Sequence, residues 1–221
     1  MIPPEQNAEF VWRMEEVLTV YQQVYDPDYP VVCLDEASKQ LVKETRTPIP
    51  ARPGQPERVD YEYERNGTAN LFMLCEPMTG WRRVQVTERR TAIDYAHLLK
   101  HLVDCDYPKA LKITVVQDNL NTHSPASLYK AFEPAEARRI LESLKFCHTP
   151  KHGSWLNMAE IEFSVLSRQC LDRRIPDFAT LKSEVAAWQE QRNQEKTWID
   201  WRFTTDDARV KLHRLYPSTK D

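Results

Sequence analysis

Two short apolar runs, YPVVCLDE (Tyr29 to Glu36) and ALKITVVQD (Ala110 to Asp118), each close on a carboxylate. Both are rich in β-branched residues and lack the apolar–polar alternation of a half-exposed strand, so they read as strands buried on both faces. A strand buried on both faces needs helices above and below it, which confines the chain to a sheet between helical layers. In open α/β sheets, sites form beyond the carboxyl ends of parallel strands. Asp35 and Asp118 therefore become neighbours if their strands run side by side in the same direction.

The rest of the chain fills in that frame. Phe10, Val11, Met14, Val17, Leu18 and Tyr21 recur at helical spacing and predict an N-terminal amphipathic helix. The stretch TRTPIPARPGQPERVDYEYERNGT breaks every periodicity and reads as an exposed Pro-rich insertion after the first strand, about 43–69, with room for a small hairpin. ANLFMLCEP and GWRRVQVTE are strand-like runs joined at MTG, as in a hairpin. A helix follows near Thr91 to Val103, another opens at Ser124-Pro125, and LKFCHTP is a third short strand. Strands grouped as a hairpin and then alternating with helices predict an α/β fold, a mixed sheet flanked by helices.

Composition narrows the function. The 221 residues suit one domain with appendages, and the net charge of −3 excludes a global basic field. A nucleic-acid partner would have to meet local pairs such as Arg82/Arg83, Arg89/Arg90, Arg138/Arg139 and Arg173/Arg174, each of which also reads as solvated surface. Cys33, Cys75, Cys105, Cys147 and Cys170 show no C-x-x-C spacing and read as reduced, buried thiols. With no apolar run of the ~20 residues a membrane helix needs, the chain is expected to be soluble and cytoplasmic. His97 and His101 have the spacing of a metal pair but no third ligand, so they read as surface histidines.

The third acid lies in TPKHGSWLNMAEIEF (Thr149 to Phe163), where a polar loop turns into a helix. Asn157 and Glu160 fit a capping box, and a first-turn carboxylate suits the helix dipole. Asp35, Asp118 and Glu160 also make a set of hard oxygen ligands on three different elements, which suits Mg²⁺ or Mn²⁺ and not zinc. Two such ions about 3.5–4 Å apart can activate water and stabilise the leaving oxygen of a phosphodiester. Glu162 is the reserve third acid: a helical wheel puts it amid Met158, Ile161, Val165 and Leu166, on the face that meets the sheet. Asn119 and His123 read either as ordinary loop polarity or as groups orienting a ligand. Lys151 and His152 read as exposed or as contacts to DNA backbone.

VVCLDE, VVQDNLNTH and TPKHGSWLNMAEIEFSVLSRQCLDRRIPD resemble the catalytic core of DDE transposases of the IS six-thirty family, within the mariner-type superfamily. The resemblance runs on to DWRFTTDDARVKLHRLYP near the C-terminus. It implies a ribonuclease-H-like fold and divided boundaries: a linker helix over 1–28, the DDE core over 29–176 and a C-terminal helical extension over 177–221. It implies that Asp35, Asp118 and Glu160 are the catalytic, metal-holding acids, with LNMAE matching the family's L-N-P-I-E and Phe163 its aromatic. Two Mg²⁺ ions per site, with Mn²⁺ substituting, DNA ends and a TA target, a homodimer when active and association with the nucleoid follow from the same resemblance. DEASKQL departs from the family's proline-bearing phrase after the first acid. Members normally begin with helix-turn-helix modules, and this chain is expected to start at the linker beyond them. A related nuclease without strand transfer, or a truncated remnant acting through protein contacts, are the alternatives.

Overall fold

The structure is a computed structural model and describes residues 5–56, 58 and 60–218. The first four residues of the expected linker, Glu57 and Val59 of the expected insertion, and the last three residues of the expected extension lie outside these. Strands β1 (Val31–Glu44), β2 (Tyr63–Glu76), β3 (Trp81–Thr87), β4 (Ile113–Gln117) and β5 (Leu144–His148) form one five-stranded sheet in the order β3-β2-β1-β4-β5. β1, β2 and β3 pair antiparallel, whereas β4 and β5 run parallel to β1. This is the mixed sheet that the sequence predicts.

Helices α1 (Ala8–Tyr21), α5 (Met158–Leu166), α6 (Phe178–Glu195) and α7 (Thr205–Lys211) supply buried residues to one face. Helices α2 (Ala92–His101), α3 (Ala126–Ala131) and α4 (Pro134–Glu142) supply them to the other. Side chains alternate across a strand, and the two cores divide β1 accordingly. Val32 and Leu34 pack with Tyr95, Leu99, Leu128 and Ile140, while Cys33 packs with Met14, Leu18, Ala159 and Leu166. On β4, Val115 joins the first group and Val116 the second. Each face buries an apolar layer, which is why both strands lack a polar side.

The strands run further than their apolar cores. β1 continues to Glu44 and β2 starts at Tyr63, so both flanks of the expected 43–69 insertion belong to the ladder. Val42↔Arg65, Lys43↔Glu64 and Glu44↔Tyr63 pair there, after a register shift between Gln40 and Val42. Side chains in these outer halves are mostly exposed, so backbone pairing holds them without a hydropathy signal. Between the strands, Ile49 bridges Arg58 and Arg52 bridges Gln55, the small hairpin expected in the loop. Asp35 consequently lies inside β1, opposite Met73, and DEASKQL is strand instead of loop.

The C-terminal helix α6 closes the outer edge of the sheet. The Arg82 N–H donates to Asn193 Oδ1 (2.9 Å), Asn193 Nδ2 donates to the Arg82 carbonyl (2.8 Å), and the Val84 N–H donates to Gln189 Oε1 (2.6 Å). Gln189 and Asn193 are one helical turn apart, so two amide side chains continue the ladder beyond the edge strand β3. Gly80, at φ +71, begins this contact: a Cβ there would lie 2.7 Å from the Lys196 carbonyl carbon and the Thr197 oxygen. Leu181, Val185, Ala208 and Leu215 are buried in the α5-side core, so α6 and α7 are integral to it. Four cysteines are buried as expected; Cys105, in the widened turn after α2, is exposed. Among the described residues no helix is long and apolar enough to cross a membrane.

Candidate active site

The parallel ladder between β1 and β4 ends at Cys33↔Val116. Asp35 follows two residues later on β1, so alternation keeps it on the face of Cys33, toward α5, and Asp118 lies one residue past the end of β4. Helix α5 is tied down beside them. Asn157 Nδ2 donates to the Leu34 carbonyl (2.8 Å) across 123 residues, while Asn157 Oδ1 accepts from the Ala159 N–H (3.1 Å). The predicted capping box does not form, because the cap bond goes to Ala159 and the Glu160 N–H donates to the Asn157 carbonyl instead (3.1 Å). The Glu160 carboxylate is thereby left in the first turn, next to β1.

Electrostatics register this convergence. Burial pushes the Asp35 carboxyl up to about 7, and the charges of Glu36, Asp118 and Glu160 push the same way, against a hydrogen bond that Oδ1 accepts from the Glu36 N–H (2.8 Å). Glu162 faces elsewhere. It is 1% exposed, with Arg82 Nε at 3.0 Å and Arg192 Nη2 at 3.1 Å. Residues two apart on a helix point to opposing sides, so Glu160 and Glu162 divide between the acids and the β3–α6 side. The sheet-facing position that the helical wheel gives Glu162 is real, and two arginines neutralise it there.

His123 joins the two strand ends. Its Nδ1 stands 2.6 Å from Asp118 Oδ1 and its Nε2 2.8 Å from Glu36 Oε2, with the ring fully buried. Burial pulls the imidazolium down, but its contacts with Asp118 and Glu36 outweigh that and raise it to about 9. Asp118 is also disfavoured as an anion by burial, yet the His123 contact and a bond from the Leu120 N–H (3.0 Å) hold its carboxyl below the usual range. Sequence reasoning misses Glu36. Its signal is a second acid in a buried run, which must find a cation.

The flanking candidates take distinct places. Asn119 Nδ2 donates to the Thr149 carbonyl (2.6 Å), clamping the loop after β4 to the one after β5. Lys151 is exposed, and His152 adopts a left-handed backbone at φ +66. Lys151 and Asn119 line a groove of ≈ 390 Å³ with Asn7, Arg13 and Pro150. Arg82 and Arg83 are not solvated surface: Arg82 is 1% exposed, and Arg83 pairs with Asp106 through Nε at 2.8 Å. His97 packs its ring edge-on to Phe132, and His101 lies 3.3 Å from Asp106.

Three carboxylates on β1, the β4 end and α5 are hard oxygen donors of the kind Mg²⁺ and Mn²⁺ take. Among the described residues no three His, Cys, Asp or Glu side chains are drawn together as a finished metal cage. Burial raises the Asp35 carboxyl most, and the charges of Glu36, Asp118 and Glu160 add to it. A divalent cation fits this excess of negative charge.

The fold is shared with solved mariner transposases. The Mos1 mariner paired end complex with Mg is 18% identical with a TM-score of 0.61, covering 99% of this chain and 66% of that one. The paired end complex with Mn is 18% identical with a TM-score of 0.55, covering 90% and 60%. The Mos1 Strand Transfer Complex is 18% identical with a TM-score of 0.55, covering 86% and 56%. The sheet order and flanking helices are thus those of a ribonuclease-H-like fold. This chain spans 60% of the length of the transposase in the complex with Mn. No curated protein matches it. A model of the DDE superfamily endonuclease family matches residues 30–182, from the start of β1 into α6 and well over half of the chain. The chain therefore belongs to the DDE superfamily endonucleases.

Proposed function

We propose that this chain is the catalytic domain of a DNA transposase, in which Asp35, Asp118 and Glu160 hold divalent ions for cutting element ends and joining them to target DNA. The observation that carries this reading is the match to the DDE endonuclease family, with Asp35 and Asp118 two residues beyond one rung of the β1–β4 ladder and Glu160 in the first turn of the helix tied to β1. Mg²⁺, with Mn²⁺ substituting and two ions per site, supplies activation of water and stabilisation of the leaving oxygen when bound. Solved neighbours described as paired end complexes with Mg and with Mn support both the metals and the DNA ends.

The chain's own residues do the remaining work. His123, braced by Glu36, fixes the Asp118 carboxylate so that its other oxygen faces the site. Asn157 holds the first turn of α5 against β1 and so presents Glu160. Lys151 and Arg13, around the groove that reaches Asn119, with His152 next in sequence to Lys151, meet phosphate backbone, which orients DNA without reading its sequence. A TA target, a homodimer in the active assembly and association with the nucleoid complete the reading.

The test is cleavage and strand transfer on element-end duplexes with Mg²⁺ or Mn²⁺. Activity lost in Asp35→Asn, Asp118→Asn and Glu160→Gln supports the reading. Activity that survives in all three variants, or that needs no divalent ion, overturns it.

A further inference from the structure

Glu162 sits two residues after Glu160 on α5, fully buried, between two arginines that come from different elements. Arg82 is on the edge strand β3, and Arg192 is in the last turns of α6. Arg82 Nη2 also donates to the Thr197 carbonyl (2.6 Å), and the Arg82 backbone is bonded in both directions to Asn193. Arg192 reaches both Glu162 oxygens, at 3.1 and 3.3 Å. The carboxylate is therefore gripped from β3 and from α6 at once. Neither guanidinium belongs to the acid site.

We propose that Glu162 is a positioning residue, and that Arg82 and Arg192 use it to set the rotation of α5 about its axis so that Glu160 faces Asp35 and Asp118. The inference rests on the transposase reading of those three acids. An α-helix rotates by about 100° per residue, so fixing Glu162 on one side fixes Glu160 nearly opposite. Asn157 pins the start of the same turn to β1, and two anchors separated along the helix define its rotation where one would not. A rotated or slipped α5 would bury two guanidinium groups without their carboxylate, which makes the alternative settings costly. Helix α6 thus acts on the site through a charge contact, without touching it.

The test compares Arg192→Gln, which leaves the Arg82–Glu162 pair in place, with Glu162→Gln, Arg192→Lys and, as control, Arg209→Gln, which breaks the surface pairing with Glu15 on α1. Two readouts are taken on folded protein: Mn²⁺ affinity, and the methyl resonances of Met158 and Ala159 without metal, which report the setting of α5. Arg192→Gln should bind Mn²⁺ at least about tenfold more weakly, as loss of a group that orients a ligand typically does, and should move both methyl signals. Arg192→Lys should recover most of the affinity, and Arg209→Gln should change neither readout. Glu162→Gln should match or exceed Arg192→Gln wherever it folds. Unmoved methyl signals with parental Mn²⁺ affinity in folded Arg192→Gln overturn the proposal. A parent protein that binds no Mn²⁺, while Arg192→Gln still moves the methyl signals, overturns the metal reading and leaves the anchoring of α5 standing.

Discussion

Asp35 and Asp118 stand two residues beyond the same rung of a parallel ladder, Cys33 opposite Val116. Register brings the two strand ends side by side, and the loop after β4, through the Leu120 N–H and His123, then sets the Asp118 carboxylate. Glu160 arrives by a separate device, the Asn157 bond to the Leu34 carbonyl one residue before Asp35.

Removing a hard ligand while keeping volume should abolish chemistry and spare the fold. Asp35→Asn, Asp118→Asn and Glu160→Gln should each reduce Mn²⁺-dependent cleavage by roughly 10³-fold or more, as loss of several kcal/mol of metal-derived stabilisation implies. Circular dichroism should be unchanged. A variant that keeps parental rates would remove its residue from the set.

Metal should stabilise the fold, since the ion relieves the repulsion felt at Asp35. At 100 times its dissociation constant a ligand adds about 2.7 kcal/mol, which for a domain of this size is a rise of roughly 5–10 °C in Tm. Thermal melts with and without Mn²⁺ measure it. The Asp35→Asn/Asp118→Asn double variant should show no rise, and an equal rise there would place the ion elsewhere.

Metal-free stability should depend on pH in a direction set by Asp35. Its carboxyl titrates near 3.8 when unfolded and about 7 when folded. Between those values the folded state holds more protons, so stability present at low pH is lost as pH rises through 7. Asp35→Asn should flatten this fall and gain up to roughly 4 kcal/mol at pH 8, the full shift at 1.36 kcal/mol per unit before solvent screening. Asp118 acts in reverse, its contribution disappearing only as pH drops through its depressed folded value. Urea titrations in a chelator at pH 5 and pH 8 separate the two.

His123→Ala should leave the buried Glu36 with only the half-exposed Arg90, 3.8 Å away, at a cost of up to about 3–5 kcal/mol. Combining it with Glu36→Gln should recover part of that loss, because the uncompensated charge is then gone. Additive losses in this cycle, read from urea midpoints, would mean that the 2.8 Å contact contributes nothing.

The site is legible in the sequence to the extent that its residues break local rules. Acids at the ends of buried apolar runs conflict with hydropathy, which draws attention to Asp35 and Asp118. Glu160 is harder, since a helix start favours a carboxylate in any case; only the phrase around it distinguishes the two, and the geometry of Asn157 then removes the cap explanation. Arg82 is illegible: beside Arg83 it reads as surface, and its partner Glu162 lies 80 residues away. The outer halves of β1 and β2 are illegible for another reason, because their support is backbone pairing between exposed residues.

The match to the family model ends at Lys182, in the second turn of α6, and Gln189 and Asn193 lie beyond it. A chain trimmed there would keep Asp35, Asp118 and Glu160 and still lose both amides that occupy the rim of β3. The Arg82 and Val84 N–H groups would then be free to accept a foreign strand, which is how open sheet margins drive self-association. The stretch that the family match leaves out is therefore the one that covers the rim of β3, and its removal would expose that rim to another copy of the sheet.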